Sequence, residues 1–224
     1  MSTVRTRRPV MRLTSVPYDT YVRLNKARGN QRLRMAYHDG VLEIMSPQYR
    51  HDTGSRNLVV LLVAYCKAFE VACVAAGSTT FRKGEPGEIE GKGKEPDESF
   101  YLRDAVARVR GKASLDLNVD PPPSLWVEVD NWGSSKAKLP LYAGLGVPEV
   151  WRYRPRRRAL WFGRLGGGGY EEIAASEALP GLTPALVLDL LDLNESGDVA
   201  AWSRLLDAWF SDHRQELIDL GTGR

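Results

Sequence analysis

Apolar residues recur along the chain at two spacings, and the helical spacing is the easier one to follow. Residues 52–73 predict the longest helix, because their apolar positions fall on one face. That stripe consists of Leu58, Leu61, Leu62, Tyr65, Phe69 and Ala72. Residues 15–17 read Ser-Val-Pro and predict the start of a shorter helix that ends near Gly29. A short helix is predicted over residues 139–145 and a final amphipathic helix over about residues 200–217.

Short apolar runs bounded by turn residues predict the strands. Residues 33–37 and 41–45 flank an Asp-Gly pair, which is a strong signal for a β-hairpin. Residues 84–94 contain four glycines and a proline and are predicted to form a loop. Further strands are predicted at residues 74–76, 79–82, 98–102, 125–130, 147–153 and 159–164. This order predicts an α/β fold in which helices pack on a mixed β-sheet.

The chain length and composition agree with one folded domain. The 224 residues are 43% hydrophobic and 26% charged, which is enough apolar content for a substantial core. We interpret residues 1–14 as a basic N-terminal tail and residues 15–193 as the domain itself. Residues 194–224 are predicted to supply a C-terminal helix that packs on the same domain.

Two features bear on the cellular compartment. No segment approaches the roughly 20 apolar residues of a membrane span, and no apolar run follows the basic N-terminus. We therefore expect a soluble, cytoplasmic protein that does not bind a membrane. Cys66 and Cys73 lie seven positions apart on one predicted helix, which would separate their Cα atoms by about 10 Å. That distance is too long for a disulfide, so we interpret both as small buried hydrophobic residues.

The positive charges are clustered although the net charge of +3 is small. One cluster follows Trp151 and a smaller one lies near the N-terminus. The clustered arginines are Arg5, Arg7, Arg8, Arg152, Arg154, Arg156, Arg157 and Arg158. Such guanidinium groups can hold the phosphates of a polyanion, or they can simply form a solvated turn, and the sequence leaves both interpretations open.

One predicted strand carries a carboxylate among apolar residues. Side chains alternate along a strand, so Trp126, Glu128 and Asp130 are predicted to share one face. Burying Glu128 there costs free energy unless a partner offsets its charge, and a metal ion is one such partner. A second acid, Asp97, follows Pro96, which places it where a strand begins.

If these two strands are neighbours, Asp97 and Glu128 could share a hard divalent ion. Mg²⁺ commonly takes one or two carboxylates, several waters and the oxygens of a substrate phosphate. Such an ion activates water and stabilises charge on a phosphodiester, and a nearby lysine would assist. Two acids and a lysine occur in most chains of this size, however, so solvated or capping roles remain open on these grounds alone.

Several segments, in one order, resemble the Uma2 family of endonucleases within the PD-(D/E)XK nuclease superfamily. The resemblance covers roughly residues 15–190. The matching segments are residues 38–47 (HDGVLEIMSP), His51, residues 77–80 (GSTT), 95–101 (EPDESFY), 121–130 (PPPSLWVEVD) and 138–152 (KLPLYAGLGVPEVWR). The resemblance implies a restriction-endonuclease-like mixed sheet flanked by helices, with an N-terminal helix and β-hairpin as additions. It also implies an endonuclease that uses Mg²⁺ or Mn²⁺ to hydrolyse phosphodiester bonds in double-stranded DNA, as a homodimer.

The resemblance assigns roles to individual residues. Asp97 and Glu128 match the metal-binding acids, and the backbone carbonyl of Val129 matches a third ligand. The superfamily lysine usually lies two residues after the glutamate, where this chain has Asp130. In the family the lysine comes from the following helix, and Lys138 is the matching position, with Lys136 as a competitor.

Further residues are candidates for supporting roles, each with an alternative. His51 could assist the site or cap and pack its helix, and Glu43 could assist or lie on the polar face of a hairpin. Asp130 could support the metal ligands or cap a helix near Ser134. Candidate nucleic-acid contacts are Arg82, Lys83, Lys136, Arg152 and Arg154.

Two departures from the family affect the surroundings of the site. Ser124 stands where the family commonly has an aspartate, and Ala36 stands where an acid is often found in the first hairpin strand. A module that binds nucleic acid or assembles without cleaving is therefore the alternative function. The apolar residues of the C-terminal helix are candidates either for the dimer interface or for packing on the sheet: Trp202, Leu205, Leu206, Trp209 and Phe210.

Overall fold

The computed structural model describes residues 10–27, 33–45, 52–77, 79–85, 88–131 and 134–222. His51 and residues 1–9 of the predicted tail lie outside the described residues. The strands are β1 Val10–Leu13, β2 Arg34–His38, β3 Val41–Met45, β4 Cys73–Ala75, β5 Phe81–Lys83, β6 Lys92–Lys94, β7 Glu98–Leu102, β8 Leu125–Val129, β9 Glu149–Arg154, β10 Ala159–Gly166 and β11 Gly169–Glu172. The helices are α1 Tyr18–Lys26, α2 Asp52–Ala68, α3 Asp104–Val109, α4 Leu139–Leu145, α5 Pro184–Asp192, α6 Val199–Asp212 and α7 Arg214–Gly221. Single 3₁₀ turns precede α4 at Ser135–Lys138 and β10 at Pro155–Arg157.

The strands form two sheets, where the sequence predicted one. The N-terminal sheet is antiparallel, with the order β1-β3-β2-β6-β5. The central sheet is mixed, with the order β11-β10-β9-β8-β7-β4 and a parallel β8–β9 pair. The predicted α/β class with a mixed sheet is therefore confirmed. The extra sheet arises because residues 92–94, predicted as loop, form β6 and pair with the hairpin.

The central sheet is covered on both faces. On one face α2, α5 and α6 bury a large apolar core that includes Leu62, Val127 and Trp202. On the other face α4 and the N-terminal sheet enclose a second core around Trp126 and Tyr142. Helix α1 covers the outer face of the N-terminal sheet, where its Tyr18 and Tyr21 pack against Tyr37 of β2. The second core is the one that positions the candidate site.

Helix α2 ends at Ala68, earlier than predicted, and this changes the account of the cysteines. Cys73 lies in β4 and not on the helix, so helical spacing does not set its distance from Cys66. Both cysteines are free, with Cys66 buried and Cys73 half-buried. Burial, followed by the neighbouring Cys73 thiol, raises the pKa of Cys66 to about 12.

The predicted C-terminal helix is broken at His213 into α6 and α7. Of the two alternatives for its apolar residues, Trp202, Leu206 and Phe210 follow the second, because they are buried in the domain's own core. Leu205 of α6 remains exposed. Within the described part of the chain, no helix is both long and apolar enough to cross a membrane.

Candidate functional site

Asp97 and Glu128 meet at one end of β8. Strands β7 and β8 are antiparallel neighbours with Glu98 opposite Val127, and Asp97 lies one residue beyond that pair. The Oδ2 atom of Asp97 accepts a hydrogen bond from the backbone N–H of Val129 at 2.7 Å. The two predicted acids therefore lie side by side, because adjacent strands carry them to the same edge.

Glu128 is buried on the face of β8 that the strand alternation predicted. The indole N–H of Trp126, two residues earlier on the same face, donates to Glu128 Oε1 at 2.7 Å. Tyr142 of α4 is fully buried beside this face. Burial, and then the negative charges of Glu128 and Asp97, raise the pKa of Tyr142, so its hydroxyl stays protonated at all ordinary pH values.

The N-terminal sheet supplies a cation to each of these acids. Arg34 forms an ion pair with Asp97 Oδ1. Lys94 is buried and lies with its Nζ 2.7 Å from Glu128 Oε1. Sequence reasoning missed both cations, although Lys94 stands directly before the Glu95-Pro96-Asp97 segment, which is a signal that could have drawn attention to it.

Strand pairing explains why these side chains point at the site. Ala36 lies opposite Glu43 on one side and opposite Lys94 on the other, so all three share the inner face of the N-terminal sheet. Gly93 occupies the outer face, where a Cβ atom would lie 2.3 Å from the Tyr21 hydroxyl oxygen. Only glycine leaves room there for the tyrosine ring.

Lys138 is carried back toward the acids by the 3₁₀ turn that leads into α4. Its Nζ lies 3.2 Å from Glu43 Oε2 and 3.7 Å from Met45 Sδ. Burial and then the nearby Lys94 ammonium lower the pKa of Lys138, while Glu128 and Glu43 partly offset that effect. Lys136, the competing position, is exposed. Lys138 is therefore the half-buried lysine of the two, and it pairs with Glu43.

Asp130 caps the 3₁₀ turn and anchors an arginine. It accepts hydrogen bonds from the Ser135 N–H at 2.8 Å and from Arg152 Nη2 at 2.9 Å. Arg152 is buried, and its Nε also donates to Ser135 Oγ at 2.8 Å. The prediction that Arg152 contacts nucleic acid is therefore corrected, since its guanidinium is engaged inside the protein.

The other predicted nucleic-acid contacts fall at two separate places. Arg82 and Lys83 lie on β5, an edge strand of the N-terminal sheet, where Arg82 donates to Asn25 Oδ1 at 3.3 Å. Arg154 lies at the end of β9, half-buried, with its Nε 4.0 Å from Asp130 Oδ2. Lys136 lies on the 3₁₀ turn after β8. His51, the predicted supporting histidine, lies outside the described residues.

The donor set fits one hard divalent ion that keeps several water ligands. Among the described residues, no group of three or more His, Cys, Asp or Glu side chains could hold a metal ion. The predicted ligands, Asp97, Glu128 and the Val129 carbonyl, would be two carboxylates and one neutral oxygen, a set that suits Mg²⁺ or Mn²⁺ better than a closed zinc site. Such a partial set leaves positions for water and for phosphate oxygens.

Comparison with known proteins gave a family match and a similar solved structure. The chain matches the model of the family described as "Uma2: Putative restriction endonuclease" over residues 18–195. Among solved structures it is similar to a protein from Anabaena variabilis described as "a putative nuclease belonging to DUF820", with a TM-score of 0.52 and 15% identity. That likeness covers 79% of this chain and 99% of the other, and it concerns the fold. The search of curated proteins gave no match.

Proposed function

The chain belongs to the Uma2 family, and on that premise we propose that it is a Mg²⁺- or Mn²⁺-dependent endonuclease that hydrolyses phosphodiester bonds in DNA. The observation that carries the proposal is the meeting of Asp97 and Glu128 at one end of β8, with Lys138 close to them. A family described as endonucleases supplies the reaction class, and the two acids supply the chemistry that the reaction needs.

In this proposal each residue has a distinct task. Asp97, Glu128 and the carbonyl of Val129 would hold the divalent ion. When bound, the ion would lower the pKa of a coordinated water and offset the charge that develops on the phosphate. Lys138, with its lowered pKa, would orient the attacking water or neutralise phosphate charge. The hydrophobic wall of Trp126 and Tyr142 would exclude bulk water behind Glu128.

The polyanionic substrate in this proposal is double-stranded DNA. Arg154 and Lys136 flank the carboxyl end of β8 and β9, where they would contact phosphates on one side of the site. Arg82 and Lys83 would extend that contact along the N-terminal sheet. We also propose a cytoplasmic homodimer, as the superfamily resemblance implies, with the exposed Leu205 on α6 available for the interface.

The test is cleavage of supercoiled plasmid in the presence of Mg²⁺ or Mn²⁺. Wild type is expected to nick or linearise the plasmid and to stop when the ion is chelated. Asp97→Ala is expected to lose about 10³-fold in rate, because loss of a metal ligand removes several kcal/mol of transition-state stabilisation. Lys138→Ala is expected to lose about 10²-fold.

The matched control is Asp207→Asn, which changes an aspartate in an exposed ion pair with Lys67 on the far helical layer. Its cleavage rate is expected to equal that of wild type. Equal cutting by wild type and Asp97→Ala would mean that the site is elsewhere.

A second candidate function is DNA binding without cleavage. One observation favours it: each acid already has a protein cation as its partner, Arg34 for Asp97 and Lys94 for Glu128. Under this alternative the acids would be structural. Salt-dependent DNA binding with no ion-dependent cleavage would support it, and absence of both binding and cleavage would count against both candidates.

A further inference from the structure

Lys94 is the least expected residue of the site. Its side chain is only 6% exposed, although lysine is among the residues least often buried. The ammonium group lies 2.7 Å from Glu128 Oε1 and donates to the carbonyl oxygen of Glu95 at 2.7 Å. It also lies 5.8 Å from the ring centres of both Trp126 and Tyr142, within the range of a cation–π contact.

A neighbour on the same strand shows that this placement is specific. Lys92 and Lys94 both point to the inner face of β6, two positions apart. Lys92 reaches Asp39 at the edge of the sheet, with Nζ and Oδ1 3.0 Å apart, and its side chain is 23% exposed. Lys94 instead reaches across from the N-terminal sheet to an acid of the central sheet.

We propose that Lys94 is a built-in competitor of the divalent ion: its ammonium group occupies Glu128, balances the charge of the site before the ion binds, and lowers the affinity of the site for that ion. The inference rests on the proposed function, since it takes Asp97 and Glu128 as the ion's ligands. It adds that this chain regulates its own ion binding through a residue that is not itself a ligand.

The contacts of Lys94 allow it to release Glu128 without losing every partner. The Glu95 carbonyl and the faces of Trp126 and Tyr142 remain in place after the ion takes the carboxylate. If the ammonium stays next to Glu128 while the ion binds the other oxygen, repulsion between two cations still weakens ion binding. Both arrangements lower the affinity, so the sign of the effect does not depend on how far Lys94 moves.

The charges around the site also affect how tightly the substrate would bind. Asp97 is paired with Arg34, Glu128 with Lys94, and Glu43 with Lys138. A divalent ion added to these neutral pairs leaves two excess positive charges in a mostly buried place. Phosphate groups of a nucleic acid would offset that excess, so the ion and the substrate are expected to bind together more tightly than the ion alone.

The experiment measures the dissociation constant of Mn²⁺ by isothermal titration calorimetry, with no nucleic acid present. Lys94→Met removes the ammonium group and keeps a long apolar side chain. We expect it to bind Mn²⁺ about tenfold more tightly than wild type, the size of effect that residues next to metal ligands commonly have. Lys92→Met is the matched control on the same strand and face, and its constant is expected to stay within about twofold of wild type.

Two outcomes separate this inference from the proposed function. Unchanged or weaker Mn²⁺ binding by Lys94→Met, with binding by wild type, overturns the inference and leaves the metal-dependent nuclease in place. No Mn²⁺ binding by any variant overturns the metal site and the inference with it. If circular dichroism shows that Lys94→Met does not fold, Lys94→Gln replaces it, since the amide can still donate to Glu128 but carries no charge, and the same outcomes apply.

Discussion

Two glutamates on neighbouring strands look alike and differ in what surrounds them. Glu128 on β8 and Glu149 on β9 are both buried, and each accepts a hydrogen bond from a tryptophan indole two residues away on its own strand. They point to opposite faces of the central sheet, because Trp126 lies in the core near α4 and Trp151 in the core near α2. The local sequence is Trp-Val-Glu on β8 and the reverse, Glu-Val-Trp, on β9, so the two acids share an indole donor and differ in their other partners.

Glu149 is satisfied entirely by uncharged donors. Besides the indole N–H of Trp151 at 2.6 Å, it accepts from the Ser176 hydroxyl at 2.6 Å. The backbone N–H groups of Glu177 and Ala178 donate to its other oxygen at 2.9 and 2.8 Å. The donors from Ser176, Glu177 and Ala178 belong to the loop before α5, so Glu149 ties that loop to β9.

Glu128 has a different kind of partner. Its charge is balanced by the Lys94 ammonium group, which belongs to another sheet and has alternative contacts. A carboxylate that is held by fixed backbone donors stabilises the fold, whereas a carboxylate that is held by a side-chain cation can exchange that cation for another. Glu128 and Glu149 are therefore equally buried in kind, and the charge of their partners is what distinguishes them.

The largest expected effect tests whether this distinction is real. Glu128→Gln is expected to lower the rate of plasmid cleavage about 10³-fold, because the amide is a poor ligand for a hard divalent ion. Glu149→Gln, the matched change on the next strand, is expected to leave the rate per folded molecule within about twofold, since it lies on the other face. Equal rates for both variants would make Glu128 another structural acid.

A smaller effect concerns stability. Glu149→Ala is expected to lower the free energy of unfolding by about 3 kcal/mol, because four buried or half-buried donors lose their acceptor together. Urea denaturation followed by circular dichroism measures the change. Glu177→Ala, on the same loop with an exposed side chain, is expected to cost no more than about 0.5 kcal/mol. A loss of the same size in both variants would show that the loop does not depend on Glu149.

The smallest expected effect is a change of stability with pH, and it concerns a third buried glutamate, Glu98. Burial, and then the charge of Asp97, raise the pKa of Glu98, although Arg56 and Ser55 oppose the shift. The folded state then holds a proton that the unfolded state has already lost, so this group lowers stability as pH rises from the ordinary glutamate range toward its raised pKa. Glu98→Gln is expected to become more stable relative to wild type as pH rises from about 4 to 7. Melting temperatures across that range measure the trend.

The exposed Glu172 provides the control for that measurement. The difference in melting temperature between Glu172→Gln and wild type is expected to stay constant over the same pH range. A constant difference for Glu98→Gln as well would mean that burial of Glu98 does not penalise its charged form.

Much of the fold and part of the site could be predicted from local sequence. Strand alternation placed Glu128 on the same face as Trp126, and the proline before Asp97 placed that acid at a strand end. The bounds of α4 were predicted correctly from its local pattern, whereas the choice of Lys138 came from the family resemblance. Each of the inferences from local pattern depends on residues close together in the chain.

The positions of Arg34 and Lys94 beside the acids, and the presence of a second sheet, could not be predicted. They depend on contacts between residues that are far apart in the chain. Lys94 meets Glu128 only because β6 pairs with the hairpin and the hairpin's sheet packs on the central one. The glycines around Lys94 suggested a loop, since glycine disfavours strands in isolation. The burial of Arg152 was missed for a related reason, since exposure cannot be inferred from charge: its partner, Asp130, follows the end of the adjacent parallel strand β8.

The glycine at position 93 has a consequence for how this protein tolerates change. Tyr21 packs on β6 from the outer face, at the one residue of that strand that has no side chain and directly before Lys94. We therefore expect that a substitution at Tyr21, in α1, shifts the backbone of β6 and with it the Lys94 ammonium group on the opposite side of the sheet. The charge beside Glu128 would then change although neither Asp97 nor Glu128 had been replaced.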